Sequence, residues 1–310
     1  MKYIIGIAAF VAGLMWGAIL FGAKTSEPLP TRTEFPDHGD YVAAELAKQT
    51  DLRPHFVFPV EMEGLTASFY GFRVEGYLNV VGGSCLLVYL HGHHNSFADY
   101  DYYHQLKDAA AKRGCDTLAM DMVGIGSNAG GIWFPTRFGR LELSRREGML
   151  HDNYRQFYDT SHPERTPLQL VLSGQYAIIQ ELAPKYDNIR MIGISGGGWS
   201  AVMLTAMMPE IERAVSWAGG LPHEYRLNPR QFGDFEQRGS FYDKVSYWQI
   251  YGMGGDRLTL VFNSADDCCF SDPEASAFKR AAGGAVNVLI SPLDTHSIDP
   301  GMAEAVLYDN

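Results

Sequence analysis

The chain has 310 residues, 46% of them hydrophobic and 20% charged, which leaves room for a large core and excludes wholesale disorder. Its 25 Lys and Arg against 36 Asp and Glu give a formal charge of −11, which argues against nucleic acid as a partner. Four cysteines with no C-x-x-C spacing exclude a disulfide scaffold and argue against a structural zinc site.

The chain opens on an apolar segment. Tyr3 to Gly22 carries no charge between Lys2 and Lys24, and a helix of that length spans about 30 Å, the thickness of bilayer hydrocarbon. Cleavage after Ala23 or Gly22 would put Phe21 or Leu20 where a small residue belongs. Residues 1–22 therefore read as a transmembrane signal-anchor, ahead of a removed signal peptide. The domain that follows is expected outside the cytoplasm, membrane-anchored or, if the segment is cleaved, secreted or periplasmic. Pro28, Pro30 and Pro36 among polar residues make 23–39 an extended linker. A single domain is predicted over 40–310, with Asp40 as N-cap of a helix over 41–49.

From there the pattern alternates strand and helix. His55 to Val81 alternates polar and apolar residues and reads as one or two antiparallel strands at a sheet edge. Short runs apolar at nearly every position follow at Cys85–Leu90, Thr117–Met122, Arg190–Ile194, Ala214–Ala218, Leu258–Phe262 and Val286–Ile290. Such runs fit strands covered on both faces. Helices are predicted between them at Ala98–Lys112, Pro167–Leu182, Trp199–Met208 and Asp272–Ala282. The order predicts an α/β domain with a mostly parallel central sheet and helices on both faces. Ligands on such a sheet bind beyond the carboxyl ends of its strands.

After the third central run comes Gly193-Ile194-Ser195-Gly196-Gly197, a strand, then G-x-S-x-G, then a helix. That is the arrangement of a nucleophile elbow, in which the serine sits on a turn too tight for neighbouring side chains. The amides at the start of the next helix point at developing negative charge.

With these residues in view, the sequence resembles the α/β-hydrolase superfamily over most of Phe56 to Val306. Leu86-Leu87-Val88-Tyr89-Leu90-His91-Gly92-His93 resembles that family's strand and His-Gly oxyanion loop. Asp121-Met122-Val123-Gly124-Ile125-Gly126 resembles its D-x-x-G-x-G strand end, Asn263-Ser264-Ala265-Asp266 its acid-bearing turn, and Asp294-Thr295-His296 its histidine loop. Ser195-Gly196-Gly197-Gly198-Trp199 is more similar to esterases of the dienelactone-hydrolase and acetyl-xylan-esterase kind than to lipases.

The resemblance implies a serine hydrolase acting on a small-molecule carboxylic ester through an acyl-enzyme, with no cofactor. Ser195 would attack, His296 would carry the proton, and Asp266 would orient the imidazole, ahead of its neighbour Asp267. The backbone amides of His93 and Gly196 would form the oxyanion hole. A metal-hydrolase reading of His91, His93 and His94 lacks two ligands, because Asn95 and Ser96 stand where that pattern needs Asp and His. A serine peptidase or amidase of the same fold is the nearest rival, and a non-catalytic binding protein on the fold the alternative from another class.

Two excursions exceed what their connections need, 124–163 and 219–255. The first carries Trp133 and Phe134 and, with Trp199, is expected to supply substrate contacts; its Arg137, Arg140, Arg145 and Arg146 pair with nearby acids in the simpler reading. The second carries Tyr225, Phe232, Phe235, Phe241, Tyr242, Tyr247 and Trp248 and is expected to form the opposing wall. In the family's sheet Cys85 and Cys115 fall at matching heights on neighbouring strands, so they form either a disulfide or two buried thiols. Cys268 and Cys269 are expected to pack as thiols.

Overall fold

The computed structural model describes residues 39–53, 60–69, 72–128, 132–136, 139–143, 167–227, 235–237 and 241–309; for 132–136 and 139–143 the description is of the backbone. The expected signal-anchor at 1–22, nearly all of the linker at 23–39, and most of 124–163 lie outside these residues. Among the described residues no helix is long and apolar enough to cross a membrane.

The central sheet has seven strands: β4 (Tyr77–Asn79), β5 (Cys85–Leu90), β6 (Cys115–Met120), β9 (Asn188–Ile194), β10 (Ile211–Trp217), β11 (Leu258–Asn263) and β12 (Asn287–Ser291). Their order across the sheet is β12-β11-β10-β9-β5-β6-β4, parallel except for β4, which runs antiparallel to β6. The six apolar runs became the six parallel strands, Cys85–Leu90 unchanged and the others with ends shifted by up to three residues.

Side-chain alternation then divides the core. Leu86, Val88 and Leu90 face one layer and Leu87 and Tyr89 the other. The first layer includes α3 (Pro167–Leu182), α4 (Gly196–Met207), α5 (Tyr247–Gly254) and α6 (Glu274–Ala282). The second holds α2 (Asp101–Lys112) and α7 (Pro300–Tyr308). Helix α4 buries Trp199, Val202, Met203 and Leu204 completely, each large side chain contributing about 1.5–3 kcal/mol through removal from water.

Two parts differ from expectation. The alternating stretch before β4 forms its own antiparallel sheet, with β1 (Glu61–Glu63), β2 (Thr66–Phe69) and β3 (Phe72–Glu75) in the order β1-β2-β3. Its Phe69, Phe72 and Val74 join the first core layer, while only β4 borders the central sheet. Part of the first excursion is a hairpin of β7 (Ile132–Thr136) and β8 (Gly139–Leu143). The helix expected over 41–49 is α1 (Gly39–Leu46), which starts earlier, so that Asp40 lies in its first turn and is not its N-cap.

Both sulfur expectations are settled by geometry. Cys85 and Cys115 lie directly opposite on β5 and β6 and form a disulfide. Cys268 and Cys269 are also joined to each other, correcting the expectation of two packed thiols.

Candidate active site

The chain runs from β5 to β6 on one side of the sheet and from β9 to β10 on the other, so the strand order turns between β5 and β9. A crevice forms at the carboxyl ends of such a pair. Leu90 pairs with Gly193, which brings the loop after β5 against the turn after β9.

Ser195 sits on that turn with φ 57° and ψ −125°, a conformation that costs a non-glycine residue about 1–3 kcal/mol and persists only where the surroundings hold it. Its N–H donates to the Trp217 carbonyl at 2.8 Å and its carbonyl accepts from the Trp199 N–H at 3.0 Å. A side chain at position 197 would place its Cβ 2.2 Å from the Leu90 carbonyl oxygen, and one at 92 would come 2.8 Å from Ser195 Cβ. Glycine at both positions lets the two loops meet.

His296 lies on the loop after β12. Its Nδ1 is 2.9 Å from Asp266 Oδ2 and 3.2 Å from Oδ1. Asp266 is buried, and its Oδ1 accepts the amides of Cys268 and Cys269 at 2.8 and 3.0 Å. Burial acts to raise its pKa; the bond and attraction to His296, with the Cys269 and Cys268 amides, outweigh that and hold it below the usual carboxylate value. Asp267 is exposed and accepts the His296 backbone N–H at 3.2 Å. Ser195 and His296 share a cavity of about 40 Å³ with His91, Gly92, His93, His94, Tyr100, Tyr102 and Ile194.

The loop after β5 is braced by side chains. His91 Nδ1 faces the Tyr89 hydroxyl at 3.0 Å, and its Nε2 donates to the His94 carbonyl at 2.7 Å. Both ring nitrogens are therefore committed to the protein. Asp121, buried at the end of β6, accepts from the Ser96 hydroxyl, the Phe97 N–H and both the N–H and hydroxyl of Ser127, at 2.8–2.9 Å. Sequence reading marked Asp121 as a landmark but not as the tie between two loops. It likewise treated Asn263 as a turn residue. Its side chain accepts from Trp217 Nε1 and donates to the carbonyls of Thr295 and Ser297 at 2.8 and 2.9 Å, joining the acid strand to the histidine loop.

The substrate-contact expectations fare differently. Trp199 is fully buried in α4, with its indole N–H on the Tyr242 hydroxyl at 2.9 Å, so it braces the elbow helix and has no face toward a substrate. Tyr225, Phe241, Tyr247 and Trp248 are buried in the first core layer and so do not form the wall expected of them, while Phe232 and the side chain of Phe235 lie outside the described residues. The side chains of Trp133 and Phe134, and those of Arg137, Arg140, Arg145 and Arg146, lie outside the described residues. Among the described residues, Cys268, Cys269 and His296 bring ligand-type atoms within 4.8 Å of one another. The disulfide removes both thiolates from that set.

Neither a family model nor a curated protein sequence matches the chain. Solved structures do. TT1662 from Thermus thermophilus aligns at a TM-score of 0.51 and 19% identity, covering 80% of this chain and 95% of that one. Est1E from Butyrivibrio proteoclasticus, solved with ferulic acid bound, aligns at 0.48 and 16%, covering 76% and 92%. Acetyl xylan esterase 1 from Thermoanaerobacterium sp. JW/SL YS485 aligns at 0.47 and 16%, covering 88% and 93%. The domain has the α/β-hydrolase fold, as its strand order and the Thermus likeness show.

Proposed function

We propose that the chain is a serine hydrolase that cleaves carboxylic esters. The observation that carries this reading is the 2.9 Å contact of His296 Nδ1 with buried Asp266, in a cavity shared with a serine held on a strained elbow. In this mechanism Ser195 Oγ attacks the acyl carbon while His296 takes its proton, and the proton then passes to the departing alcohol. A water, deprotonated by the same imidazole, releases the acid from the acyl-serine. Asp266 fixes the tautomer that leaves Nε2 free to accept, and it stabilises the imidazolium. The amides of His93 and Gly196 receive the oxyanion. Two disulfides and the apolar segment at 1–22 support a domain working outside the cytoplasm; a phosphatase fused after Asn310 should be active only if that orientation holds.

Ser195→Ala removes one oxygen from the turn and should lower kcat on p-nitrophenyl acetate by more than about a thousandfold, with an unchanged melting temperature. A purified variant that keeps most of the activity would end the serine mechanism.

A further inference from the structure

Among the buried charged groups of the described residues that the mechanism above leaves unused, Glu236 is wholly inaccessible and lies beside the site. Glu236 lies on a short turn of helix, Phe235–Gln237, contributed by the second excursion. Its carboxylate is wholly buried, and its Oε1 is 3.1 Å from Nε2 of His93, whose side chain is equally inaccessible. Taking a carboxylate out of water costs several kcal/mol unless a partner compensates. An apolar side chain would fill the same space without that cost.

The two ends of Glu236 reach the two halves of the oxyanion hole. On one side, the His93 ring packs against Gly196 so closely that a Cβ there would lie 2.3 Å from its Cε1. On the other, the Glu236 carbonyl accepts from the Tyr242 hydroxyl at 2.7 Å, and that hydroxyl accepts the Trp199 indole N–H at 2.9 Å. Trp199 stands on α4, the helix that begins at Gly196, and its backbone N–H closes the first turn onto the Ser195 carbonyl. The adjacent Gln237 is anchored as well, its carbonyl on the Tyr247 hydroxyl at 2.9 Å and its side chain on Arg226.

We propose that Glu236 is a positioning residue for the oxyanion hole, clamping the His93 loop to the helix that carries Gly196. The inference rests on the serine-hydrolase reading of the site. The hole works only if its two amides, on separate elements, keep one spacing while charge develops on the substrate oxygen. A single residue tied to both elements supplies that constraint. It also explains why part of a long excursion is buried behind the site instead of lining its mouth.

The test compares Glu236→Gln, which keeps shape and polarity, with Glu236→Ala, and uses Tyr242→Phe to loosen the opposite end. Active sites are first titrated with a fluorophosphonate, so that kcat refers to competent molecules. Losing one oxyanion donor costs about 10²–10³ in kcat; a misplaced donor should cost less. Glu236→Ala is expected to lower kcat about 10- to 100-fold with KM within about twofold, and Glu236→Gln to recover part of that loss. Amide hydrogen exchange should quicken at residues 91–95 and 196–199 in Glu236→Ala and Tyr242→Phe, and less in Glu236→Gln. A merely structural plug would lower the melting temperature and the titrated fraction but leave kcat per site and KM alone. Wild-type kcat per site in both Glu236 variants, with unchanged exchange, overturns the proposal. If the wild type hydrolyses no ester and takes up no fluorophosphonate, the serine-hydrolase reading fails instead, and exchange alone then decides whether Glu236 couples the two loops.

Discussion

The loop after β5 and the loop after β11 both deliver parts of the site, yet they are held by different means. The first, His91 to Phe97, is fixed by side chains: Tyr89, two residues upstream, on His91, and Asp121 on Ser96 and Phe97. The second, Ser264 to Phe270, is fixed mainly by backbone groups. Ser264 donates to Ser291, Ala265 to Leu293, and the amides of Cys268 and Cys269 close onto Asp266 from two and three residues away. The Asp266 carboxylate, held by local amides, is oriented through the chain's own spacing, whereas a loop held by the remote Asp121 carboxylate depends on the rest of the domain being folded.

The difference also explains what the sequence made legible. Asp266 and His296 could be read from a strand end and a short spacing, because the turn that orients the acid is written within a few residues. Ser195 was readable for the same reason. Glu236 had no such signal: it lies 143 positions from His93, inside a stretch whose aromatics drew attention as a wall. A tryptophan beside an elbow suggests contact with substrate, and only packing of α4 against α5 shows that Trp199 faces the core. In the fold, apolar runs marked the parallel strands, since both faces are covered. The alternating stretch marked strands but not partners, which is why β1–β3 became a separate sheet. Helix α7 has a local signal of its own, Asp299 as N-cap followed by Pro300 at its first position.

The largest expected effect separates two adjacent acids on the second loop. Asp266→Asn leaves the turn's shape nearly intact but favours the wrong tautomer of His296, and should lower kcat by about 10⁴, as such a substitution can in a triad. Asp267→Asn disturbs one exposed contact to the His296 amide and should stay within about threefold. Steady-state kinetics on p-nitrophenyl acetate decide it; a reversed ranking at equal melting temperatures would mean that the acid has been placed one residue out of register.

A middle-sized effect tests the dependence of the first loop on remote groups. Asp121→Asn retains one acceptor oxygen and turns an amide toward donors that Asp121 now accepts from. Stability should fall by about 3 kcal/mol or more, because hydrogen bonds to a buried charge contribute about 1.5–3 kcal/mol each. Urea unfolding with the slope unchanged would give the number. A loss below about 1 kcal/mol would show that the loop holds itself, and the contrast between the two loops would disappear.

The smallest effect concerns pH: both loops lose stability on acidification, but in different pH windows. Burial lowers the His91 pKa below its ordinary value, against an opposing pull from Asp121. The folded state thus keeps His91 neutral where the unfolded chain would protonate it. Its contribution is complete above the unfolded value, about 6.5, and is lost progressively as pH falls below that. Asp266 has a depressed folded pKa, so its contribution is complete above about 3.9 and disappears only as pH falls on through the folded value. Between pH 7.5 and 5.0, then, the β5 loop should weaken while the acid loop does not. His91→Gln cannot titrate and still offers polar atoms to Tyr89 and the His94 carbonyl. The melting temperature of the wild type should therefore drop by a few degrees more than that of His91→Gln over this range. Parallel curves would show that His91 takes up its proton in the folded loop without cost, which its two hydrogen bonds, one of them received on Nδ1 from the Tyr89 hydroxyl, argue against.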